Sequence, residues 1–409
     1  MIKLKKWIIL LIFDIASTFG SRIFSFASAF YILQHTDTTF KYSIYLFLIV
    51  LVTIISAPMM GVITDSLNNK KLVLFSQLSS IIVLLFFSLL YVEIGLNMII
   101  VTGIILTLVD SIVGLVVQSN LRTIAAEQLE RVISLRQTIV SSTTFLAPVI
   151  GGFLVAFVSI ETLALLTLFT EVIALILLQT LPLKKFIELQ TEENFFKKFK
   201  DGFVYIKSKR IILTFIASAL FVNFFMNSLV VGVPILSIQT LNLKSFQFGL
   251  IEASITVSML LASLYFSIFP IKKKIKSTFK LSVLIQFLIV LALGIFLLFD
   301  NTETGSFIFL MLVYLLLGFA LTLNNIPYSI YLQTHVDDEY KGRVFSLNQS
   351  LVQAIMPLSM LFYGLLLNDN QAFIYILTSF GVLLVLIMFS IMSSRQQSSI
   401  KYEMKDNDF

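Results

Sequence analysis

Apolar runs of 20 or more residues recur along nearly the whole of this 409-residue chain. Hydrophobic residues make up 58% of the sequence and charged residues only 13%, whereas a soluble domain has about a quarter of its residues charged. Each run is long enough to cross a lipid bilayer as a helix. The sequence therefore predicts an all-α, multi-pass membrane protein.

We predict twelve membrane spans from these runs. The spans cover residues 7–33, 42–64, 71–92, 96–119, 135–158, 161–181, 211–239, 246–270, 278–299, 305–332, 345–367 and 371–393. The first run is too long for the apolar region of a signal peptide, so we interpret it as a span.

Basic residues alternate sharply between the predicted loops. Twenty-six Lys and Arg residues fall in one alternating set of loops or at the adjoining span ends, and only Lys41 and Lys244 fall in the other set. Since basic loops stay in the cytoplasm, both termini are predicted to be cytoplasmic in a plasma membrane protein. The formal net charge of +6 then serves orientation and contact with lipid headgroups, and we expect no nucleic-acid partner.

The residue inventory argues against several kinds of chemistry. The chain has no cysteine, and its two histidines, His35 and His335, fall in predicted loops. Disulfides, thiolate metal sites and cysteine nucleophiles are excluded, and we expect no metal site and no cofactor. No nucleotide-binding loop is recognisable either. We expect a transporter rather than an enzyme, driven by an ion gradient unless a partner supplies ATP hydrolysis.

An internal repeat relates the two halves of the chain. The segment Arg131–Val140 (RVISLRQTIV) recurs as Arg343–Val352 (RVFSLNQSLV), 212 residues later. Repeats of this kind within membrane spans are typical of transporters built from two related halves. We therefore predict a six-helix bundle at 1–181, a linker at 182–210, a second six-helix bundle at 211–394, and a polar tail at 395–409.

The linker contains a helical pattern of aromatic residues. Phe195, Phe199, Phe203 and Ile206 recur at helical spacing, and lysines occupy the other faces. This pattern predicts a basic amphipathic helix at the membrane surface. The helix either couples or regulates the two halves, or it simply rests on headgroups.

The loop after the second span reads Gly61-Val-Ile-Thr-Asp65-Ser-Leu-Asn-Asn-Lys70-Lys71. It resembles the cytoplasmic signature of the major facilitator superfamily, with Ser66 and Asn68 in place of the usual arginine and glycine. The resemblance implies a cytoplasmic gate, in which Asp65 accepts hydrogen bonds from a helix start and the two lysines close the contact. Alternatively, the lysines only orient the chain.

The segment Thr143–Gly152 resembles the antiporter signature of the same superfamily. Ala147-Pro148-Val-Ile-Gly151-Gly152 stands where that signature has Gly-Pro-x-x-Gly-Gly. Proline bends a helix and glycines allow close helix contact. The resemblance implies proton-coupled export, whereas the residues alone are equally consistent with an ordinary kinked and tightly packed helix.

The second half contains Asp338-Glu339-Tyr-Lys-Gly342-Arg343-Val-Phe-Ser-Leu. This run resembles the macrolide-efflux-type branch of the superfamily, in which it precedes the eleventh span. The resemblance adds Glu339 and Arg343 to the predicted cytoplasmic gate.

Charged residues within the spans are candidates for ion coupling. A charge at the helix centre costs roughly 2.5–3.5 kcal/mol, so such residues usually face a cavity or a partner. We predict an Arg22–Asp110 ion pair, which is either part of the coupling or merely structural. Asp14 has no close basic partner in its own span and is our first candidate for a proton carrier, followed by Glu252. Glu171 is a weaker candidate.

Amides in the seventh and tenth spans are candidate cavity residues. Asn223 and Asn227 lie four residues apart on one helix face, and Asn324, Asn325 and Tyr328 surround Pro327. Such groups either contact substrate or form interhelical hydrogen bonds. The 40 phenylalanines suit a cavity for hydrophobic cations, although most must face lipid.

We expect a bacterial exporter of hydrophobic small molecules, drug-like, antibiotic or macrolide-like, that works by alternating access around a cavity between its halves. Protons enter as the compound leaves, and membrane lipids are the other partner of an expected monomer. The alternatives are uptake or facilitated diffusion of a lipid-like or peptide-like solute, and a membrane sensor that does not transport.

Overall fold

A computed structural model describes residues 5–35, 39–66, 68–183, 195–269, 275–299, 302–367 and 370–406. Over these ranges the regular structure is helical. The helices are α1 (Lys6–Gln34), α2 (Thr39–Ser66), α3 (Asn69–Ile94), α4 (Leu96–Ala125), α5 (Leu129–Val155), α6 (Ile160–Gln179), α7 (Phe195–Ser208), α8 (Arg210–Ile235), α9 (Ser245–Ile268), α10 (Ile275–Phe296), α11 (Glu303–His335), α12 (Asp338–Leu366) and α13 (Gln371–Asp406). A 3₁₀ turn (Ala126–Gln128) precedes α5, and a π-helical turn (Leu236–Thr240) follows α8.

Ten stretches of the described chain are helical, long and apolar enough to cross a membrane. Two shorter apolar helical stretches, Phe40–Ser56 in α2 and Ser350–Leu366 in α12, lie at the predicted second and eleventh spans. The remaining helix, α7, is the one predicted in the linker. The all-α, multi-pass prediction is confirmed.

Short polar caps set where several helices begin. Asn68 Oδ1 accepts hydrogen bonds from the backbone N–H groups of Lys70 (3.1 Å) and Lys71 (3.2 Å), so α3 starts directly after it. Thr302 caps α11 in the same way through the N–H of Gly305. Gly95 joins α3 to α4 with a φ of +70°, a backbone conformation that favours glycine.

The chain forms two compact units. The first comprises Met1–Leu189 together with Pro234–Thr256. In it, α1 packs against α5 and α6, α3 packs against α4 and α6, and α2 packs against α4. Gly20 permits the close approach of α1 to α6, because a Cβ atom there would overlap the Thr170 hydroxyl. Within the first unit, α1 thus contacts four other α-helices: α2, α4, α5 and α6.

The second unit comprises Gln190–Val233 and Val257–Phe409. In it, α10 packs against α13 and α11, and a group of edge-to-face aromatic rings, Phe215, Phe279 and Phe389, lies between helices. Both α8 and α9 contribute residues to each unit. The domain limits at 181, 210 and 394 stay a prediction.

The linker helix α7 packs against protein along one edge. Tyr205 and Ile206 are buried in a cluster with residues of α11 and α12, and the Tyr205 ring stacks on Tyr340 at 4.5 Å. The backbone N–H of Asp337 donates to the Tyr205 hydroxyl (3.1 Å). Phe203 on the same helix is exposed. Of the four predicted apolar positions, Ile206 is therefore buried against protein and Phe203 is not. The side chains of Phe195 and Phe199 lie outside the described part of the structure.

Candidate functional site

A polar cavity lies inside the first unit, where α1, α4 and α5 meet. Its lining residues are Phe13, Asp14, Ser17, Thr18, Ser21, Arg22, Asp110, Val113, Gly114, Val117, Arg136 and Val140. Asp14, Ser17 and Ser21 follow one another at intervals of three and four residues, which places them on one face of α1. Helix α1, which is otherwise largely apolar, therefore presents a row of polar side chains to the cavity.

Asp14 pairs with an arginine from another helix. Arg136 Nε donates to Asp14 Oδ2 at 2.6 Å and Arg136 Nη2 donates to Oδ1 at 3.0 Å, and Asp14 is only 6% exposed. The sequence counted Arg136 with a basic cytoplasmic loop, and this is corrected, because Arg136 lies within α5, which begins at Leu129. Asp14 has no basic partner in its own span, as predicted, and receives one from another helix. Protonating Asp14 would weaken two charge-assisted bonds, so it is less suited to carry a proton than the sequence suggests.

Arg22 and Asp110 line the same cavity and their charges attract. Within the described residues, however, they form no direct salt bridge, which corrects the predicted pair. Arg22 Nη1 donates instead to Thr144 Oγ1 on α5, at 2.6 Å. Asp110 lines the same cavity as Ser21 and Arg22. A neutral hydroxyl on α5 therefore holds the Arg22 guanidinium.

A second cavity adjoins the first at Arg22. It is lined by Arg22, Ser25, Phe26, Thr144, Ala147, Pro148, Glu252, Ile255 and Thr256, all in the first unit. Glu252 is half-buried there, on α9. The predicted charges Asp110 and Glu252 thus face two cavities that share one arginine.

Glu171 on α6 is the residue that the sequence underrated. It is 2% exposed, and its carboxylate accepts hydrogen bonds from Gln77 Nε2, Ser80 Oγ (3.4 Å) and Ser17 Oγ (3.5 Å). Gln77 and Ser80 lie three residues apart on α3, so they face the same neighbour. The spacing of these two polar residues within an apolar span is the feature of the sequence that indicates a polar partner on a neighbouring helix.

Pro148 and Gly152 make a close crossing of α5 with α9. A Cβ atom on Gly152 would overlap the carbonyl of Ser245, and one on Gly249 would overlap the carbonyl of Pro148. Gly151 packs against the Phe26 ring, which itself stacks on Phe248 at 5.4 Å. Small residues bring these two backbones together, whereas the antiporter role of the segment stays a prediction.

The candidate amides lie in the second unit. Asn223 Nδ2 donates to the carbonyl of Ala219 in its own helix (2.8 Å), and Asn227 is buried. Asn324 Oδ1 is buried without a hydrogen-bond partner among the described residues, whereas Asn325 is exposed. Tyr328 Oη donates to Asn348 Oδ1 at 3.0 Å. Of the five candidates, Asn324 has the buried acceptor still available for a ligand.

The predicted gate is described only in part. Lys70 and Lys71 are exposed in the first turn of α3. The side chains of Gly61, Asp65, Glu339 and Arg343 lie outside the described part of the structure. The gate therefore stays a prediction.

Comparison with known proteins agrees with this architecture. The sequence profile described as Major Facilitator Superfamily matches residues 10–360. The chain belongs to the major facilitator superfamily. It is thus a multi-pass membrane protein of a transporter family, with the all-α fold predicted from its sequence. A comparison with curated protein sequences returned no match.

Several solved structures share this major facilitator fold. A bacterial homologue of the iron transporter ferroportin, in an inward-facing state, has a TM-score of 0.74 and 17% identity, covering 96% of this chain and 100% of its own. Nucleoside transporter NupG has a TM-score of 0.71 and 14% identity, covering 96% and 99%. A D-xylose-proton symporter has a TM-score of 0.67 and 14% identity, covering 93% and 96%. These proteins carry different substrates, so the likeness establishes the fold alone.

Proposed function

We propose that this major facilitator protein exports hydrophobic small molecules of the drug or antibiotic class in exchange for protons. The observation that carries the proposal is Arg22, which lines two cavities of the first unit, one with Asp110 and the other with Glu252. Ionisable residues within a membrane are costly and usually mark an ion or proton pathway.

Coupling follows from the shared arginine. A proton that binds Asp110 removes the negative charge that attracts Arg22, and Arg22 then interacts more strongly with Glu252 or with a ligand. Proton binding in one cavity thereby changes the electrostatic potential in the other. Each proton that enters the cell gains about 2.3 kcal/mol per 100 mV of membrane potential, which drives an uphill export step.

Apolar walls support a hydrophobic substrate. Phe26, Pro148 and Ile255 flank Arg22 in the second cavity, and Phe13 and Val113 flank the polar wall of the first. Export is favoured by the resemblance of Ala147–Gly152 to the antiporter signature and of 338–347 to the macrolide-efflux-type branch. In the proposed orientation both termini are in the cytoplasm, as the loop charges predict.

One observation favours a second candidate function, uptake of a peptide-like solute. The first cavity carries two carboxylates, Asp14 and Asp110, and two guanidinium groups, Arg22 and Arg136. This mixed lining suits a zwitterion better than a purely apolar compound. The direction of transport separates the two candidates.

Everted membrane vesicles with an acidified lumen test the proposal. We expect wild-type vesicles to accumulate at least one compound of a lipophilic drug panel, and a protonophore to abolish the accumulation. Asp110→Asn should lose it. The matched control is Asp337→Asn, an exposed carboxylate at the start of α12, which should retain it. Drug accumulation that ignores the protonophore contradicts the proposal, and proton-dependent uptake of dipeptides into right-side-out vesicles supports the second candidate instead.

A further inference from the structure

Glu171 is buried on α6, where it contacts α1 and α3, and it is not among the residues that line the polar cavity. Its hydrogen-bond donors are an amide and two hydroxyls, Gln77, Ser80 and Ser17, and no cationic side chain is within salt-bridge distance of it in the described part of the chain. An ionised carboxyl buried without a cation is costly. Glu171 therefore has the surroundings of a group that binds a proton.

Ser17 connects this buried carboxyl to the cavity. Ser17 lines the cavity wall, and its hydroxyl also reaches Glu171 Oε1. One turn further along α1, Ser21 donates to the carbonyl of Ser17 at 2.7 Å and lines the same cavity as Asp110. Two serines one turn apart on α1 thus connect the cavity that Asp110 lines with the buried Glu171 carboxyl.

The two carboxyls also interact through their charges. Asp110 and Glu171 are close enough for their like charges to repel, so ionising both together is unfavourable. The other charged groups around them are Asp14 and Arg136, which neutralise each other, and Arg22 beside Asp110. From α3, Glu171 faces the neutral side chains Gln77 and Ser80.

We propose that Glu171 is a second proton-binding site of the transporter, which exchanges a proton with Asp110 past Ser17 and Ser21. This inference rests on the proposed proton coupling and assigns the proton a position inside the bundle. While Glu171 holds the proton, Asp110 is ionised and available to Arg22 and to the cavity.

The exchange balances within the pair. The Asp110 carboxyl loses a proton and becomes a carboxylate, and the Glu171 carboxylate gains that proton and becomes a neutral acid. The Ser80 hydroxyl is within hydrogen-bonding distance of both Glu171 Oε2 (3.4 Å) and the carbonyl of Gln77 (2.8 Å). When Glu171 is ionised, Ser80 can donate to it; when Glu171 is neutral, Ser80 donates to Gln77 instead and its oxygen accepts the new O–H of Glu171. The net charge of the pair does not change.

Infrared spectroscopy of the full chain in lipid nanodiscs tests the site without any substrate. Wild-type protein carrying ¹³C in the carboxyl groups of either glutamate or aspartate identifies protonated carboxyls by residue type, so the test does not depend on a variant that folds. We expect a protonated-glutamate band at neutral pH that disappears in Glu171→Gln. It should persist in the matched control Glu303→Gln, which changes an exposed residue at the start of α11.

Two further variants test the connection to the cavity. Asp110→Asn should shift the pH at which the glutamate band is half lost, because it removes the neighbouring charge. Ser17→Ala should slow hydrogen–deuterium exchange of that carboxyl. Ser28→Ala is the control, since Ser28 is also buried on α1 and its hydroxyl has no partner among the described residues. It should leave the rate unchanged.

The proposal is overturned if no glutamate-label-sensitive band is present, if Asp110→Asn leaves the midpoint in place, or if Ser17→Ala exchanges as fast as wild type. These outcomes are separable from failure of the proposed function. If the protonated-glutamate band is missing but drug accumulation is still driven by protons, the role of Glu171 is wrong and the proposed function stands. If the band is present but transport is insensitive to a protonophore, the proposed proton coupling is wrong and Glu171 is still a proton-binding site.

Discussion

At the scale of single residues, the Asp14–Arg136 contact decides how α1 and α5 are held together. Two parallel hydrogen bonds join a guanidinium and a carboxylate that are both mostly buried. Such a pair contributes modestly when intact, but removing one partner leaves an uncompensated buried charge. Arg136 is therefore a structural residue at the cavity wall.

We predict that Arg136→Ala lowers the free energy of unfolding by about 3–5 kcal/mol. The measurement is thermal unfolding of purified protein in detergent. Arg131→Ala is the matched control, because Arg131 is exposed and lies over the Trp7 ring, at 5.4 Å. We expect a loss of about 0.5–1 kcal/mol for that contact. Equal losses in the two variants contradict a buried Asp14–Arg136 pair.

The neutral partner of Arg22 leads to a second prediction. Exchanging the two charges, with Arg22→Asp and Asp110→Arg in one chain, should not restore drug accumulation in everted vesicles. The reason is that Thr144 holds the guanidinium at its present position on α1 through a hydrogen bond that an arginine on α4 would not inherit. Restoration to near wild-type accumulation would show that a direct ion pair is what matters.

Residue positions were easier to predict than residue partners. Asp14, Arg22 and Asp110 stand out in the sequence because charges within apolar runs need a cavity or a partner, and all three line one cavity. Arg136 was missed because it lies at the edge of the predicted fifth span and was counted with the basic loop before it, whereas α5 begins at Leu129. Glu171 was underrated because its donors come from α1 and α3, more than 90 residues away.

At the scale of helices, the crossing of α5 with α9 depends on two glycines. Gly152→Ala should lower the free energy of unfolding by about 1–3 kcal/mol, because the added methyl group meets backbone atoms that cannot rotate away. Unfolding in detergent by circular dichroism is the measurement.

Gly114→Ala on α4 is the control for that crossing, since a Cβ atom there meets nothing within 4 Å. Alanine is the better helix former by about 1 kcal/mol, so the control should be neutral or slightly stabilised. A stable Gly152→Ala protein would mean that the two helices are further apart than described.

The internal repeat extends to helix pairs. Arg136 in α5 corresponds to Asn348 in α12, 212 residues later. Arg136 Nη1 donates to Gln118 Oε1 on α4 at 3.4 Å, and Asn348 accepts from Tyr328 on α11 at 3.0 Å. The same position of the repeat therefore makes a polar contact with the equivalent helix in each half. The residue at that position is charged in the first half and neutral in the second. The sequence repeat predicted the register, and the partner residues required the structure.

At the scale of the whole molecule, hydropathy was sufficient for the fold class. Every predicted span has a helix in the structure, because backbone groups in lipid must be satisfied within the helix itself. The packing partners were not predictable in this way. The contact of Tyr205 with Tyr340, for example, joins α7 to α12 across 135 residues of chain and leaves no trace in hydropathy.

The central claim is that substrate leaves as protons enter. Proteoliposomes that contain the purified chain and a pH-sensitive dye test it most directly, with a compound identified in the vesicle panel. Adding that compound to one side should move protons in the opposite direction in wild-type and Asp337→Asn proteoliposomes, but not in Asp110→Asn proteoliposomes. Movement of the compound with no change in luminal pH would contradict the account.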